Sequence, residues 1–284
     1  MTTIPITPGQ RISKSLAVQR RHIPVLGTLL LLIVMFSIGA ARYGENFLTA
    51  QTILTVLREQ SHLIVIGVGM TFVILTGGID LSVAAVMALS TVVCAWLMGS
   101  YGWSPFAVIV VVLVGGALLG TVMGAIIQHF QIQAFIVTLA GMFFARGTAQ
   151  MISEQSIPIR DPFFTETATT RINLGSVNTR PNVIIALLVL ALAFYVLHYR
   201  RLGRNVYAIG GNEQSAMLMG LPVARTKILV YTISGTCAAL GGVLFSFNLS
   251  SGHNGHGVGL ELDAIAAVVI GGTLLTGGSG FVLG

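Results

Sequence analysis

The stretch LTGGIDLSV, residues 75–83, interrupts a long apolar segment with two glycines and an aspartate. The aspartate, Asp80, is the only charged residue between Leu63 and Met98, and it lies near the midpoint of that segment. A segment of this length holds two membrane-spanning helices, since one crossing takes about 20 apolar residues. The stretch therefore predicts a break between two helices that run through a hydrocarbon layer.

The composition is that of an integral membrane protein. Hydrophobic residues make up 54% of the chain, charged residues 8%, and the mean hydropathy is +0.88. A soluble domain has about a quarter of its residues charged. The apolar stretches predict an all-α, polytopic helical membrane protein. If the stretch 63–98 holds two helices and each other stretch holds one, there are about eight transmembrane helices. The stretches are 24–41, 63–98, 105–127, 134–152, 183–199, 228–249 and 262–284.

Basic residues are concentrated before the first apolar stretch and in the loop after 183–199. They are Arg11, Lys14, Arg20 and Arg21 in the first cluster, and Arg200, Arg201, Arg204, Arg225 and Lys227 in the second. Cytoplasmic loops carry an excess of Lys and Arg. We therefore predict a cytoplasmic basic tail at 1–23 and a membrane domain at 24–284, with an exterior loop at 153–182 and a cytoplasmic loop at 200–227. Membrane topology explains the net charge of +6, so no nucleic-acid partner is predicted.

The break at residues 75–83 has two compatible interpretations. In the first, glycines end one helix and Asp80 caps the next. In the second, the helix over 63–76 covers only about 21 Å, which is too short for a full crossing, so the break lies within the membrane and lines a solute path. The residues assigned to such a path are Thr76, Gly77, Gly78, Asp80, Ser82, Glu261 and Asp263.

Glycine patterns recur elsewhere in the chain. The Thr-Gly-Gly of residues 76–78 returns at 276–278, which hints at an internal duplication of the kind found in transporters. Gly116, Gly120 and Gly124 are spaced four residues apart, and this spacing predicts a ridge on which another helix packs closely.

The loop at 200–227 contains the short apolar run Ala216 to Met219, which would be costly to leave in water. A short helix that docks against a partner protein explains the run. The alternative is an interfacial helix that rests on lipid headgroups.

No combination of residues predicts catalysis, a metal site or a cofactor. His253 and His256 are three residues apart, but their glycine-rich surroundings provide no rigid helix for metal ligands. The chain also lacks the GxxxxGK[ST] phosphate loop. If ATP drives transport, another polypeptide must bind the nucleotide, so the chain is not predicted to be an enzyme.

Three motifs resemble the membrane permeases of bacterial ABC importers for ribose, xylose, galactose-type sugars and related solutes. They are VGMTFVILTGGIDLSV at 68–83, GRNVYAIGGNEQSAMLMGL at 203–221 and ELDAIAAVVIGGTLLTGG at 261–278. The stretches FIVTLAGMFFARG and SEQSIPIRDP, at 135–147 and 153–162, are most similar to the permease of the galactofuranose-type importer. The resemblance implies a multi-pass permease of the bacterial inner membrane that forms half of the path for a monosaccharide.

The resemblance also implies partners. These are a second permease protomer, identical or different, two cytoplasmic ATPase subunits, and a periplasmic sugar-binding protein that delivers the monosaccharide. By analogy with the family, the segment at 203–220 contacts the ATPase. The residues assigned to this coupling loop are Gly203, Arg204, Gly210, Gly211, Asn212, Glu213, Ala216 and Gly220.

The chain departs from the family pattern in two places. Ala84 follows DLSV where the family usually has glycine, and the chain ends at Gly284 inside an apolar run, so we expect a membrane domain shortened at its C-terminus. The alternative function is an ion-coupled secondary transporter in which Asp80 is the coupling carboxylate. That alternative predicts uptake that needs no ATPase and stops when an uncoupler is added.

Overall fold

The computed structural model describes residues 27–44, 47, 49–174 and 177–284. Its helices are α1 (Gly27–Tyr43), α2 (Ala50–Glu59), α3 (Ser61–Leu75), α4 (Val83–Tyr101), α5 (Pro105–Phe130), α6 (Ala134–Ile152), α7 (Pro162–Thr169), α8 (Pro181–Tyr199), α9 (Arg201–Gly211), α10 (Glu213–Leu218), α11 (Val223–Leu249) and α12 (Leu260–Ile270). The strands are β1 (Ile157–Pro158), β2 (Ile172–Leu174), β3 (Val177–Thr179) and β4 (Ser251–Gly252). The basic tail at 1–23 lies outside the described residues.

The prediction of an all-α, polytopic membrane protein is confirmed. Five of the described helices, α4, α5, α6, α8 and α11, are long and apolar enough to cross a membrane. A sixth span results if α2 and α3, which meet at a bend of 63°, form one crossing. The predicted count of eight is not confirmed, because α1 is a shorter apolar helix and α12 ends at Ile270, well before the end of its apolar stretch.

Helix α11 is the centre of the bundle and packs against α3, α4 and α5. The glycine ridge of α5 lies directly on the α11 backbone. A methyl group added at Gly120 would lie 2.9 Å from the carbonyl carbon of Tyr231, and one at Gly124 would lie 2.9 Å from the Cα of Ile228. Only glycine permits two helix backbones to approach this closely, so α5 and α11 are in direct backbone contact.

Helix α12 packs against α3. Gly67 of α3 faces Val268 of α12, and further along Leu75 accepts a hydrogen bond of 2.9 Å from the backbone N–H of Gly278. The end of the bundle at which α3 finishes also contains α9 and α10, and we call it the glycine end. The opposite end contains the antiparallel pairs β1–β4 and β2–β3, and we call it the strand end.

Candidate functional site

The break after α3 is made by glycine. The Thr76 hydroxyl donates a hydrogen bond of 2.8 Å to the Val73 carbonyl, and Gly77 adopts a φ of +77°. The N–H groups of Gly77 and Gly78 then donate to the carbonyls of Ile74 and Val73. This left-handed C-terminal cap satisfies the last carbonyls of the helix and suits a residue without a Cβ.

Asp80 is enclosed between the break and the central helix. Its Oδ1 atom accepts hydrogen bonds from the Ser82 backbone N–H at 2.9 Å and from the Ser82 hydroxyl at 2.6 Å. Its Oδ2 atom accepts a hydrogen bond of 2.7 Å from the Ser234 hydroxyl on α11. Asp80 is fully buried, so its carboxylate does not line an open path in this conformation. It joins the turn that precedes α4 to α11 instead.

A cavity of about 370 Å³ lies beside the break at the glycine end. One wall is the backbone from Thr76 to Ile79, and the turn between α5 and α6 contributes the amide side chains Gln131 and Gln133. Tyr231 completes the wall on the α11 side, and Lys227 and Glu213, paired at 2.6 Å, lie at its rim. The lining is therefore rich in uncharged hydrogen-bonding groups.

Three Gly-Gly pairs meet at the glycine end, and we call them the glycine junction. The pairs are 77–78, 210–211 and 277–278. A methyl group added at Gly277 would lie 2.7 Å from the Gly77 nitrogen, and one at Gly278 would lie 2.7 Å from the Gly211 nitrogen. The two Thr-Gly-Gly repeats of the sequence therefore touch through their backbones, and the end of α9 packs against Leu75 and Gly278 beside them.

The segment assigned to the coupling loop folds into α9 and α10. Asn212 caps α10 by accepting a hydrogen bond of 2.7 Å from the Ser215 N–H, and Gly220 follows the helix with a φ of +75°. Ala216 is buried, whereas Leu218 is 87% exposed. Among the other residues of this group, Gly203 is packed against the Leu197 backbone and Arg204 is exposed.

Glu261 and Asp263 lie on a different element from the break at residues 76–82. Both residues are in the first turn of α12, where Asp263 is exposed and Glu261 is partly buried. Arg146 lies near this turn, attracts Glu261 electrostatically, and donates to the backbone carbonyls of Asn254 and His256. The seven residues assigned to a path from the sequence thus form two groups, one at the break after α3 and one at the start of α12.

The structure describes no candidate metal centre. Among residues 27–44, 47, 49–174 and 177–284, no group of three or more His, Cys, Asp or Glu side chains could hold an ion. The rings of His253 and His256 lie 5.6 Å apart, and His256 contacts the Thr91 hydroxyl at 3.3 Å instead.

The sequence analysis did not identify two residues of α11, Ser234 and Tyr231, that lie beside the break. A buried carboxylate requires hydrogen-bond donors from neighbouring helices. Polar residues inside α11 were therefore the available signal, and Ser234 is one of them.

Comparisons with known proteins place the chain in one family. Residues 52–283 match the family described as "Branched-chain amino acid transport system / permease component". No solved structure matches the chain.

Several curated relatives match over nearly the whole chain. The fructose import permease protein FruG of Bifidobacterium longum is 40% identical over 100% of this chain and 85% of its own length. The inner membrane ABC transporter permease protein YjfF of Escherichia coli is 41% identical over 93% of this chain and 80% of its own length. The ribose import permease protein RbsC of Escherichia coli is 37% identical over 100% of this chain and 86% of its own length. With its helical membrane fold and a family match over most of its length, the chain belongs to the permease components of ABC importers.

Proposed function

We propose that this chain is the membrane subunit of an ATP-driven monosaccharide importer of the bacterial inner membrane, where it forms half of the sugar path with a second permease protomer. The glycine junction carries the proposal, because it connects the exposed α10 to the break that precedes Asp80. The relatives named for fructose and ribose support a monosaccharide as cargo. Galactofuranose stays a prediction, since relatives named for other sugars match the chain over its full length.

The distribution of basic residues supports an orientation for the bundle. The loop that contains Arg200, Arg201 and Arg204 lies at the glycine end, so we assign this end and the N-terminus to the cytoplasm. The strand end, with loop 153–182, then faces the exterior and receives the sugar-binding protein. Glu261 and Asp263 would border the exterior part of the path, and residues 76–82 would border the cytoplasmic part.

The cytoplasmic partner in this proposal is the ATPase. Three apolar side chains are exposed at the end of α10: Met217, Leu218 and Met219. Exposure of such a cluster to water is unfavourable. We infer that they dock in an apolar groove of the ATPase, as short helices do in other complexes. Catalysis of ATP hydrolysis belongs to that partner.

The glycine junction would transmit the motion of the ATPase to the path. No side chain lies between the two backbones at Gly210 and Leu75, so little of a displacement of α9 can be absorbed there by rotamer changes. The displacement would reach the end of α3 and the hydrogen bond between Asp80 and Ser234. Opening of this bond would join the cavity of about 370 Å³ to the bundle interior. The amides and hydroxyls in that cavity suit the hydroxyl groups of a neutral sugar.

Co-purification with the ATPase tests the proposal. Leu218→Glu places a charge on the exposed end of α10, and Val258→Glu makes the same kind of change at an exposed valine in the segment before α12. We expect the wild-type chain and Val258→Glu to retain the cognate ATPase and Leu218→Glu to release most of it. Retention by Leu218→Glu would place the ATPase contact elsewhere. If the wild-type chain and its partner protomer retain no ATPase at all, the proposed function is wrong.

A further inference from the structure

The segment that connects α11 to α12, residues 251–259, lies across one face of α4, and we call it the strap. A methyl group added at Gly252 would overlap the carbonyl oxygen of Thr91. Further along the strap, Gly257 lies on the end of the Met87 side chain. Met87 and Thr91 are four residues apart on α4 and fully buried, so the strap covers this face of the helix.

Arg146 fixes the strap to α6. Its Nη1 atom donates to the backbone carbonyl of Asn254 and, at 2.9 Å, to that of His256. Both carbonyls belong to a turn in which the His253 ring accepts a hydrogen bond of 3.0 Å from the Gly255 N–H. Hydrogen bonds from a charged donor are stronger than those between neutral groups. Arg146 therefore holds this turn of the strap closed against α6.

The carboxylate of Glu261 offers Arg146 a second partner. Glu261 lies in the first turn of α12, directly after the strap, and attracts Arg146 electrostatically. The two side chains form no ion pair in the described part of the chain, and the Oε2 atom of Glu261 is buried without a hydrogen-bond partner there. An unpaired buried carboxylate oxygen is unfavourable, and a guanidinium is its best-matched donor. Arg146 thus has two alternative sets of acceptors, the strap carbonyls and Glu261.

The strap is anchored at its α11 end and contains two left-handed glycines near its α12 end. The Ser250 carbonyl accepts a hydrogen bond of 2.8 Å from the Ile159 N–H, and β4 pairs with β1. Toward α12, Gly257 and Gly259 adopt φ values of +62° and +87°, which suit residues without a Cβ. Moving segments turn on a few residues at the ends of elements. Residues 253–256 therefore lie between an anchor and a hinge.

We propose that Arg146 is the latch of an exterior gate: its bonds to Asn254 and His256 keep the strap closed, and transfer of its guanidinium to Glu261 releases the strap from α4. The inference rests on the proposed function, in which the strand end faces the exterior. Helix α4 begins directly after the break that contains Asp80, so the face beneath the strap leads toward that break. A partner that docks on the strand end opens the gate if it binds the released strap better than the closed one.

The test measures how fast a membrane-impermeant maleimide reaches a cysteine beneath the strap in spheroplasts that contain the assembled transporter. Thr91→Cys is the reporter, since Thr91 is fully buried and its hydroxyl lies 3.3 Å from the His256 ring. Cys94 and Cys237 are replaced by alanine in every variant. Without the sugar-binding protein, Arg146→Gln should label about 10-fold faster or more, because the strap loses two hydrogen bonds from a charged donor. It should also take up sugar without the binding protein.

Glu261→Gln should have the opposite effect, because Arg146 keeps the strap carbonyls and loses its second partner. Addition of the sugar-loaded binding protein should speed labelling about 10-fold in the reporter alone and less than about twofold in Glu261→Gln. Sugar uptake by Glu261→Gln should fall although the ATPase is retained. Arg160→Gln and Glu154→Gln make the same changes at exposed residues of the loop 153–182 and should alter both rates less than about twofold.

Each contrary result has a distinct meaning. If Arg146→Gln labels as slowly as the reporter alone, Arg146 is not the latch. If Arg146→Gln and Glu261→Gln both label faster, the two residues hold the closed strap together, and the proposed exchange is wrong. If Arg146→Gln does not assemble, Arg146→Lys decides, because it keeps the charge without the planar fork and should label at an intermediate rate. If the wild-type transporter takes up no sugar with its binding protein and ATPase, the proposed function fails, while the labelling rates still decide the latch.

Discussion

Gly210→Ala tests whether the glycine junction couples ATP hydrolysis to transport. The added methyl group would overlap the carbonyl oxygen of Leu75 and lie 3.0 Å from its carbonyl carbon. These are backbone atoms, so no side-chain rotation relieves the contact. Overpacking of this kind costs about 1–3 kcal/mol, and the better helix propensity of alanine returns at most about 1 kcal/mol. The difference is about 0–3 kcal/mol, and a net cost in the middle of this range, about 1–2 kcal/mol, changes the population of the packed junction about 5- to 30-fold.

The expected phenotype is loss of coupling rather than loss of assembly. The exposed part of α10 is unchanged in Gly210→Ala, so the ATPase should still bind and hydrolyse ATP. In proteoliposomes, the number of sugar molecules taken up per ATP hydrolysed should fall about 5-fold or more, in line with the shifted population. Simultaneous measurement of uptake and phosphate release gives this ratio directly.

Gly211→Ala is the matched control for this prediction. It makes the same change at the next position of α9, where an added methyl group would meet no described atom within 4 Å. We expect a transport ratio close to that of the wild type. A normal ratio in Gly210→Ala, or an equal loss in both variants, would show that the backbone contact between α9 and α3 does not transmit the motion.

Two further predictions concern the stability of the bundle, measured as the thermal unfolding of the purified chain in detergent. Asp80→Ala should lower stability by about 1–3 kcal/mol or more, because the hydroxyls of Ser82 and Ser234 lose their shared acceptor; a melting temperature equal to that of the wild type would contradict the enclosed geometry. Gly120→Ala should cost about 1–3 kcal/mol by separating α5 from α11. Gly115→Ala in the same helix meets no described atom within 4 Å and should be neutral or slightly stabilising.

Much of the architecture was predictable because single crossings depend on local composition. The apolar stretch at 134–152 coincides with α6, and proline occupies the first position of α5 and α8, where its missing N–H is not needed. Gly77 ends α3 with the left-handed backbone that the sequence indicates. By contrast, the number of membrane-spanning helices could not be predicted from the sequence, since an apolar stretch such as 262–284 does not reveal where its helix ends.

The contacts between helices were not predictable from the sequence. Asp80 and Ser234 are 154 positions apart, and their hydrogen bond depends on how α4 and α11 rotate relative to each other. Membrane helices are apolar on nearly every side, so hydrophobic periodicity does not indicate which side faces the core. The same limit applies to Arg146 and His256, which belong to different elements and meet only after α6 and the strap have packed.

The pairing of β1 with β4 also determines when the strand end can be completed during synthesis. Ile157 pairs with Gly252, a separation of 95 positions, and the long helix α11 lies between them. Because a chain is made at about 5–20 residues per second, the β1 strand waits roughly 5–20 s for its partner. During that interval its backbone edge is open to solvent and to other chains. The strand end therefore matures among the last parts of the molecule, after α11 has been inserted.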